Sequence, residues 1–237
     1  MDNTQPTSLE YLPGEIFLQI FTFFSLGEIV TTFFDLNSYI NTMVRLVQDV
    51  SLKVEYHDND AISLLESFPR QIRHLVMENI EKTDFTLSMN LRSLTLKYGT
   101  RIQLNTIRPQ YIPLLETLRI TGNVQPYSHI VLYIDNILYV GFHKTMSNSH
   151  ETISNLLQII FTNGFPRLEI CTIFDIGIVV VFSDTWTGSP SLRIVNLYMP
   201  HSRHREQLRS ICPRLRRLTS FRLSTNDPLQ GNSNIFM

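Results

Sequence analysis

Leu91-Arg92-Ser93-Leu94-Thr95-Leu96 sets one apolar residue, a second three positions on and a third five positions on. Read outward from it, the same unit precedes it at Ile72, Leu75, Met77. It follows at Leu115, Leu118, Ile120; Ile137, Val140, Phe142; Leu168, Cys171, Ile173; Leu192, Val195, Leu197; and Leu218, Phe221, Leu223. The unit starts are separated by about 19 to 31 residues, the period at which short structural repeats stack on one another. Helical spacing fills two of the gaps, at Ile153, Leu156, Leu157 and Ile160 and at Leu208 and Ile211.

A second marker runs in phase with the first. Pro113-Leu114-Leu115, Pro166-Arg167-Leu168, Pro190-Ser191-Leu192 and Pro213-Arg214-Leu215 each set proline two residues before a leucine. Proline cannot continue a helix, so it turns the corner between the helix side of one coil and the strand of the next. The pattern resembles a leucine-rich repeat, and Cys212-Pro213-Arg214-Leu215 resembles the Cys-Pro-x-Leu junction of the subtype common in F-box proteins. The resemblance implies an irregular mixed α/β solenoid over residues 68–226, with a parallel β concave face and helices or loops outside. An ordinary α/β domain of alternating strands and helices is the alternative. Residues 51–67 read as a connecting helix or linker, and 227–237, rich in Asn and Ser, as a flexible tail.

Before residue 50 the texture differs. Apolar residues recur at helical spacing, at Ile16, Ile20, Phe23 and Phe24, then Ile29, Phe33 and Leu36, then Ile40, Val44 and Val47, which implies three short helices. Pro13 suits the first turn of the first helix and Glu15 its positive dipole end. Ser25 with Glu28 is a capping-box pattern for the second, and Asn37 or Ser38 can cap the third. Phe17, Phe21 and Phe34 remain once one face of each helix is used, so they either form an exposed partner surface or pack on the C-terminal region.

The segment Leu12-Pro13-Gly14-Glu15-Ile16-Phe17-Leu18-Gln19-Ile20-Phe21-Thr22-Phe23-Phe24 resembles the opening of an F-box, continued by Glu28-Ile29 and by Leu36-Asn37-Ser38. Phe24 replaces the usual leucine, and Ile40 stands near the place of a tryptophan often found late in the motif. The resemblance covers residues 8–50 as a three-helix module and completes an α+β organisation with the α/β repeats behind it. It implies that the module docks on the Skp adaptor, and through it on a cullin-RING ligase, while the repeats hold an unknown protein substrate. Leu12, Pro13, Ile16 and Ile20, with Phe17 and Phe24 beside them, are then the adaptor contacts, by helix-in-groove recognition. A protein-interaction scaffold with a diverged F-box is the alternative.

Composition narrows the classes. Twenty Lys plus Arg against twenty-one Asp plus Glu remove the global reason to expect nucleic acid. Two cysteines, Cys171 and Cys212, argue against a secreted disulfide framework and for a cytoplasmic protein, or a nuclear one. The polar segment Met1 to Gln5 lacks signal-peptide character, and the longest apolar run, Ile176 to Phe182, suits a buried strand rather than a membrane span. No nucleophile elbow, phosphate-cradling loop or His-Glu-x-x-His motif occurs, so no enzyme, cofactor or metal is expected. His201 and His204 read as a solvated helix start. Arg203, Arg205, Arg209, Arg214, Arg216, Arg217 and Arg222 cluster in a chain that holds only four lysines. Arg214, Arg216 and Arg217 either bind an acidic or phosphorylated substrate segment or form a solvated flank. Trp186 falls in a loop, as a binding anchor or packed on Val180 or Phe182.

Overall fold

The computed structural model describes residues 11–78, 80, 85–122, 133–134, 137–138, 146–174, 183–198 and 202–221 of the 237-residue chain. Three helices open it: α1 (Gly14–Phe21), α2 (Leu26–Phe33) and α3 (Ser38–Leu46). Side chains satisfy free backbone N–H groups at the starts of α2 and α3, whereas α1 has no side-chain cap. Pro13 sits extended at the cap of α1, with Glu15 in the first turn. Ser25 and Glu28 form a reciprocal capping box on α2, and the Asn37 side chain accepts from the Ile40 N–H at 2.8 Å to start α3.

The face of α1 that turns inward is the reverse of the expected one. Phe17 and Phe21, four apart, are buried, whereas Ile16 and Phe24 are 38% and 42% exposed and Phe23 is 85% exposed. The reason lies in the partners. Phe17 meets Tyr39 of α3 edge-on at 6.0 Å and Phe21 meets Phe33 of α2 at 5.2 Å, so the bulkier pair fills the space between three helices. Leu36, expected inside, is exposed, and Phe34 packs edge-on against Phe68 at 5.7 Å.

Beyond α3 the chain runs β1 (Val50–Val54), α4 (Asn59–Ser67), β2 (Ile72–Glu78), β3 (Ser93–Lys97), α5 (Arg101–Thr106), β4 (Thr117–Thr121), β5 (Tyr133–Ile134), β6 (Ile137–Leu138), α6 (Met146–Phe161), β7 (Ile170–Phe174), β8 (Ile194–Tyr198), α7 (Ser202–Ile211) and β9 (Arg217–Phe221). Seven strands form one parallel α/β sheet in the order β1-β2-β3-β4-β7-β8-β9, so the chain steps across the sheet in one direction. In register, Leu52, Leu75, Leu94, Leu118, Cys171, Val195 and Leu218 form one column. Val54, Met77, Leu96, Ile120, Ile173 and Leu197 form a second, all of them buried. The leucine spacing therefore encodes which side chains face the helices.

Three expectations need correction. The stretch 51–67, expected to be connecting helix or linker, contributes most of edge strand β1 as well as α4. Ile137 starts β6, which pairs antiparallel with β5 in a separate two-stranded sheet, and Val140 and Phe142 lie outside the described residues. The last unit is phased three residues earlier than expected: Leu218 aligns with Val195, the second position of its neighbour, so Leu215 takes the first. The run 176–182, the tail 227–237 and the residues 1–10 also lie outside the described residues.

The phased prolines have a common geometry. The N–H of Leu115, Leu168, Leu192 and Leu215 returns to the carbonyl of Ile112, Phe165, Ser189 and Cys212, at 3.3, 3.1, 3.4 and 3.0 Å. Each proline is thus the second residue of a four-residue turn, where its fixed φ is already correct. Pro69 does the same inside the turn from Phe68 to Gln71. One glycine is essential to the stacking. Gly188 has φ +96, donates to the Phe161 carbonyl at 2.7 Å, and has the Ile211 carbonyl 1.8 Å from where a Cβ would stand. The loop it closes carries Trp186, which is buried with its ring stacked on Phe161 at 4.4 Å.

Candidate functional site

Two surfaces collect the predicted site residues. The first is the outer side of α1. Pro13 and Ile16 are exposed, Leu12 and Ile20 are half-buried, and Phe24 continues the line beyond the helix end, resting edge-on against Phe33 at 6.1 Å. Steps of three and four residues put Pro13, Ile16 and Ile20 on one side of the helix. The Leu12 carbonyl accepts from the Tyr39 hydroxyl at 2.9 Å, which holds the start of α1 against α3. Phe17 does not belong to this surface: it is fully buried beneath it and supports the helix instead.

Phe24 also borders a groove of about 800 Å³ between the α1–α2 corner and the α3–β1 link. Leu18, Leu26, Leu46 and Val47 supply its apolar walls, and Gln48, Asp49 and Ser51 its polar rim. At that corner the Ser25 backbone N–H and then its hydroxyl hold the Glu28 carboxyl below its ordinary pKa. The α1–α2 corner is pinned where the apolar stripe ends.

The second surface is the β9 end of the sheet. The arginines that adjoin in sequence separate in space: Arg203, Arg205 and Arg209 lie on α7, while Arg214, Arg216 and Arg217 lie exposed at the turn into β9 and at its first residue. Arg193, Pro213, Arg214, Leu215 and Arg216 line a concavity of about 400 Å³. Arg222 and His201 lie outside the described residues, and His204 is half-buried on α7. Trp186, buried and stacked on Phe161, is no surface anchor, and Val180 and Phe182 lie outside the described residues.

An arrangement that sequence reasoning missed leads to this end. Each strand of the sheet starts beside or on one charged residue, in sheet order Asp49, Arg73, Arg92, Glu116, Glu169, Arg193 and Arg216. Their backbones bond in register: Arg92 N–H to the Arg73 carbonyl at 2.9 Å, and Glu116 to Arg92, Glu169 to Glu116, Arg193 to Glu169 and Arg216 to Arg193, each at 2.8 Å. Their side chains pair two by two, Asp49 with Arg73, Arg92 with Glu116 at 2.9 Å and Glu169 with Arg193 at 3.4 Å. Arg216 ends the series with no carboxylate partner among the described residues. From Arg73 onward the signal was present as the residue after the first apolar position of each unit, but its meaning depends on which strands adjoin.

On the face opposite the helices the sheet is mixed. Arg119 and Phe174 are exposed, Lys97 pairs with Glu78 at 3.1 Å, and Asn196 donates to the Thr172 hydroxyl at 3.0 Å. Cys171 and Cys212 are buried and unpaired, and burial, with Cys212 nearby, pushes the Cys171 thiol up to about 12. Among the described residues no helix is long and apolar enough to cross a membrane. Comparison with protein-family models and with curated proteins finds no match.

Proposed function

We propose that this chain is a substrate-recognition subunit of an SCF-type ubiquitin ligase, binding the Skp adaptor through an F-box formed by α1 to α3 and a protein substrate through a leucine-rich repeat solenoid. The observation that carries the reading is the outer side of α1. Pro13, Ile16 and Ile20, with Phe24 after them, stay accessible in the segment that resembles the F-box, while Phe17 and Phe21 hold the helix in place. Apolar residues at helical spacing, left at the surface by a module with its own core, are what a partner's groove requires. The solenoid reading is supported by the sequential strand order, the in-register leucine columns and the repeated proline turns. The receptor does no bond-making itself and acts by raising the concentration of substrate beside the ligase. In this reading it works in the cytoplasm or the nucleus.

The test is a pull-down of the full chain with purified Skp adaptor beside a variant carrying Pro13→Ala, Ile16→Ala and Phe24→Ala, with folding of both checked by circular dichroism. A buried anchor truncated to alanine should cost about 2 kcal/mol of binding, so loss exceeds tenfold. A well-folded parent that fails to bind refutes the adaptor role and leaves a scaffold that binds other partners.

A further inference from the structure

The charge ladder at the strand starts is open at one end. Its inner rungs neutralise one another through Asp49–Arg73, Arg92–Glu116 and Glu169–Arg193. Exposed pairs of this kind add little stability, so the regularity matters for where charge is left over. It is left at β9, where Arg216 follows Arg193 in register and Arg214 and Arg217 adjoin it without carboxylates among the described residues. In a chain of formal net charge -1, this end holds cationic charge that its own ladder does not cancel.

We infer that the β9 end binds an oxyanion carried on a peptide, a carboxylate or phosphate side chain that takes the place of the next acidic rung beside Arg216. Guanidinium groups favour this ligand because their planar fork meets two oxygens at once. The concavity of about 400 Å³ has Pro213 and Leu215 in its wall beside Arg193, Arg214 and Arg216. That apolar part suits the stem of a side chain better than a bare inorganic anion. Nucleic acid fits less well, since it needs a basic stripe along its backbone and the ladder beyond Arg193 turns acidic at Glu169 and Glu116. The inference rests on the reading of the sheet region as the substrate-holding half and supplies the chemistry of one anchor in that substrate.

The experiment is fluorescence anisotropy of the full chain with three short labelled peptides. One carries two glutamates, one carries phosphoserines at those positions and one carries glutamines. The glutamate peptide, the phosphoserine peptide or both should bind, with the better one naming the source of the anion, and the glutamine peptide should bind about tenfold more weakly or worse. Arg214→Glu with Arg216→Glu should lower affinity about tenfold or more, whereas Arg203→Glu with Arg209→Glu makes the same change of charge on α7 and should leave it unaltered. Glu169→Gln frees Arg193 from its ion pair and should tighten binding. Equal losses in the two double variants, competition by inorganic phosphate as strong as by the peptide, or preference for single-stranded DNA of equal charge each overturn the inference. Adaptor pull-down of the unsubstituted chain separates the two readings: a chain that binds the adaptor but neither anionic peptide loses only the anion site, and one that binds an anionic peptide but not the adaptor loses only the ligase role.

Discussion

The sheet and the three-helix module bury their apolar residues under different constraints. A strand has two faces, and its in-register neighbours decide which one is inside, so Leu75, Leu94 and Leu118 could not face outward without turning every adjoining strand. A helix such as α1 is apolar on more than one side, and it turns inward the side whose shapes fit, here Phe17 and Phe21 against Tyr39 and Phe33. The sheet therefore leaves a mixed polar surface, and the module leaves Ile16, Phe23 and Phe24 in solvent. Apolar exposure concentrates where packing had a choice, and that is where an apolar partner is expected.

Neighbouring substitutions on α1 probe this contrast most strongly. Phe17→Ala should cost about 3–5 kcal/mol of stability by chemical denaturation. Ile16→Ala should cost under about 1 kcal/mol while weakening adaptor binding. Equal destabilisation by the two would break the comparison. In the sheet region the sharpest test is Gly188→Ala, expected to cost about 3 kcal/mol, because a Cβ meets the Ile211 carbonyl at 1.8 Å and φ is +96. Ser25→Ala should remove about 1 kcal/mol by deleting the cap of α2.

Two smaller effects sharpen the same contrast. Glu28 has its folded pKa depressed, so its support of α2 is fully present above the unfolded carboxyl's pKa and is lost as pH falls through the lower folded value. Acid titration by circular dichroism should show a helical loss below the ordinary carboxylate range that Glu28→Ala abolishes. Cys171, buried in its column and with its thiol pushed up to about 12, should resist alkylation at neutral pH until the sheet unfolds. Labelling of the native protein at Cys171 would mean that the sheet opens locally.

Much of this architecture was legible in the sequence where one periodicity excluded the others. The three-and-five spacing identified the inward residues of β2, β3, β4, β7 and β8, the prolines marked the turns, and Ser25 with Glu28 marked the start of α2. It failed where the more apolar phase, Leu218, Phe221 and Leu223, was not the one adopted, since Leu197 aligns with Ser220. Leu215, Leu218 and Leu223 allow two alignments of the last unit, and only pairing with β8 chooses between them. Strand β1 was hidden because Asp49 stands where its sister units carry an apolar residue three positions before the second one. Of the predicted adaptor contacts, Phe17 was misplaced because spacing along a helix does not say which of two apolar sides has partners waiting. The separation of the arginines into two groups, and the ladder leading to one of them, depended on strand adjacency.

The pairing of the ladder also bears on how such a chain can change its length. Asp49 with Arg73, Arg92 with Glu116 and Glu169 with Arg193 each join two adjacent strands, so the ion pairing counts strands by twos while the backbone hydrogen bonding counts them singly. Duplicating or deleting an ion-paired couple of repeats keeps every charge matched. Deleting the repeat that carries Glu116 would set Arg92 beside Glu169 and leave Arg193 alone next to Arg216. Matched charge on this edge is therefore kept only when strands are added or removed by twos, and the seventh strand carries Arg216 with no acidic rung beyond it among the described residues.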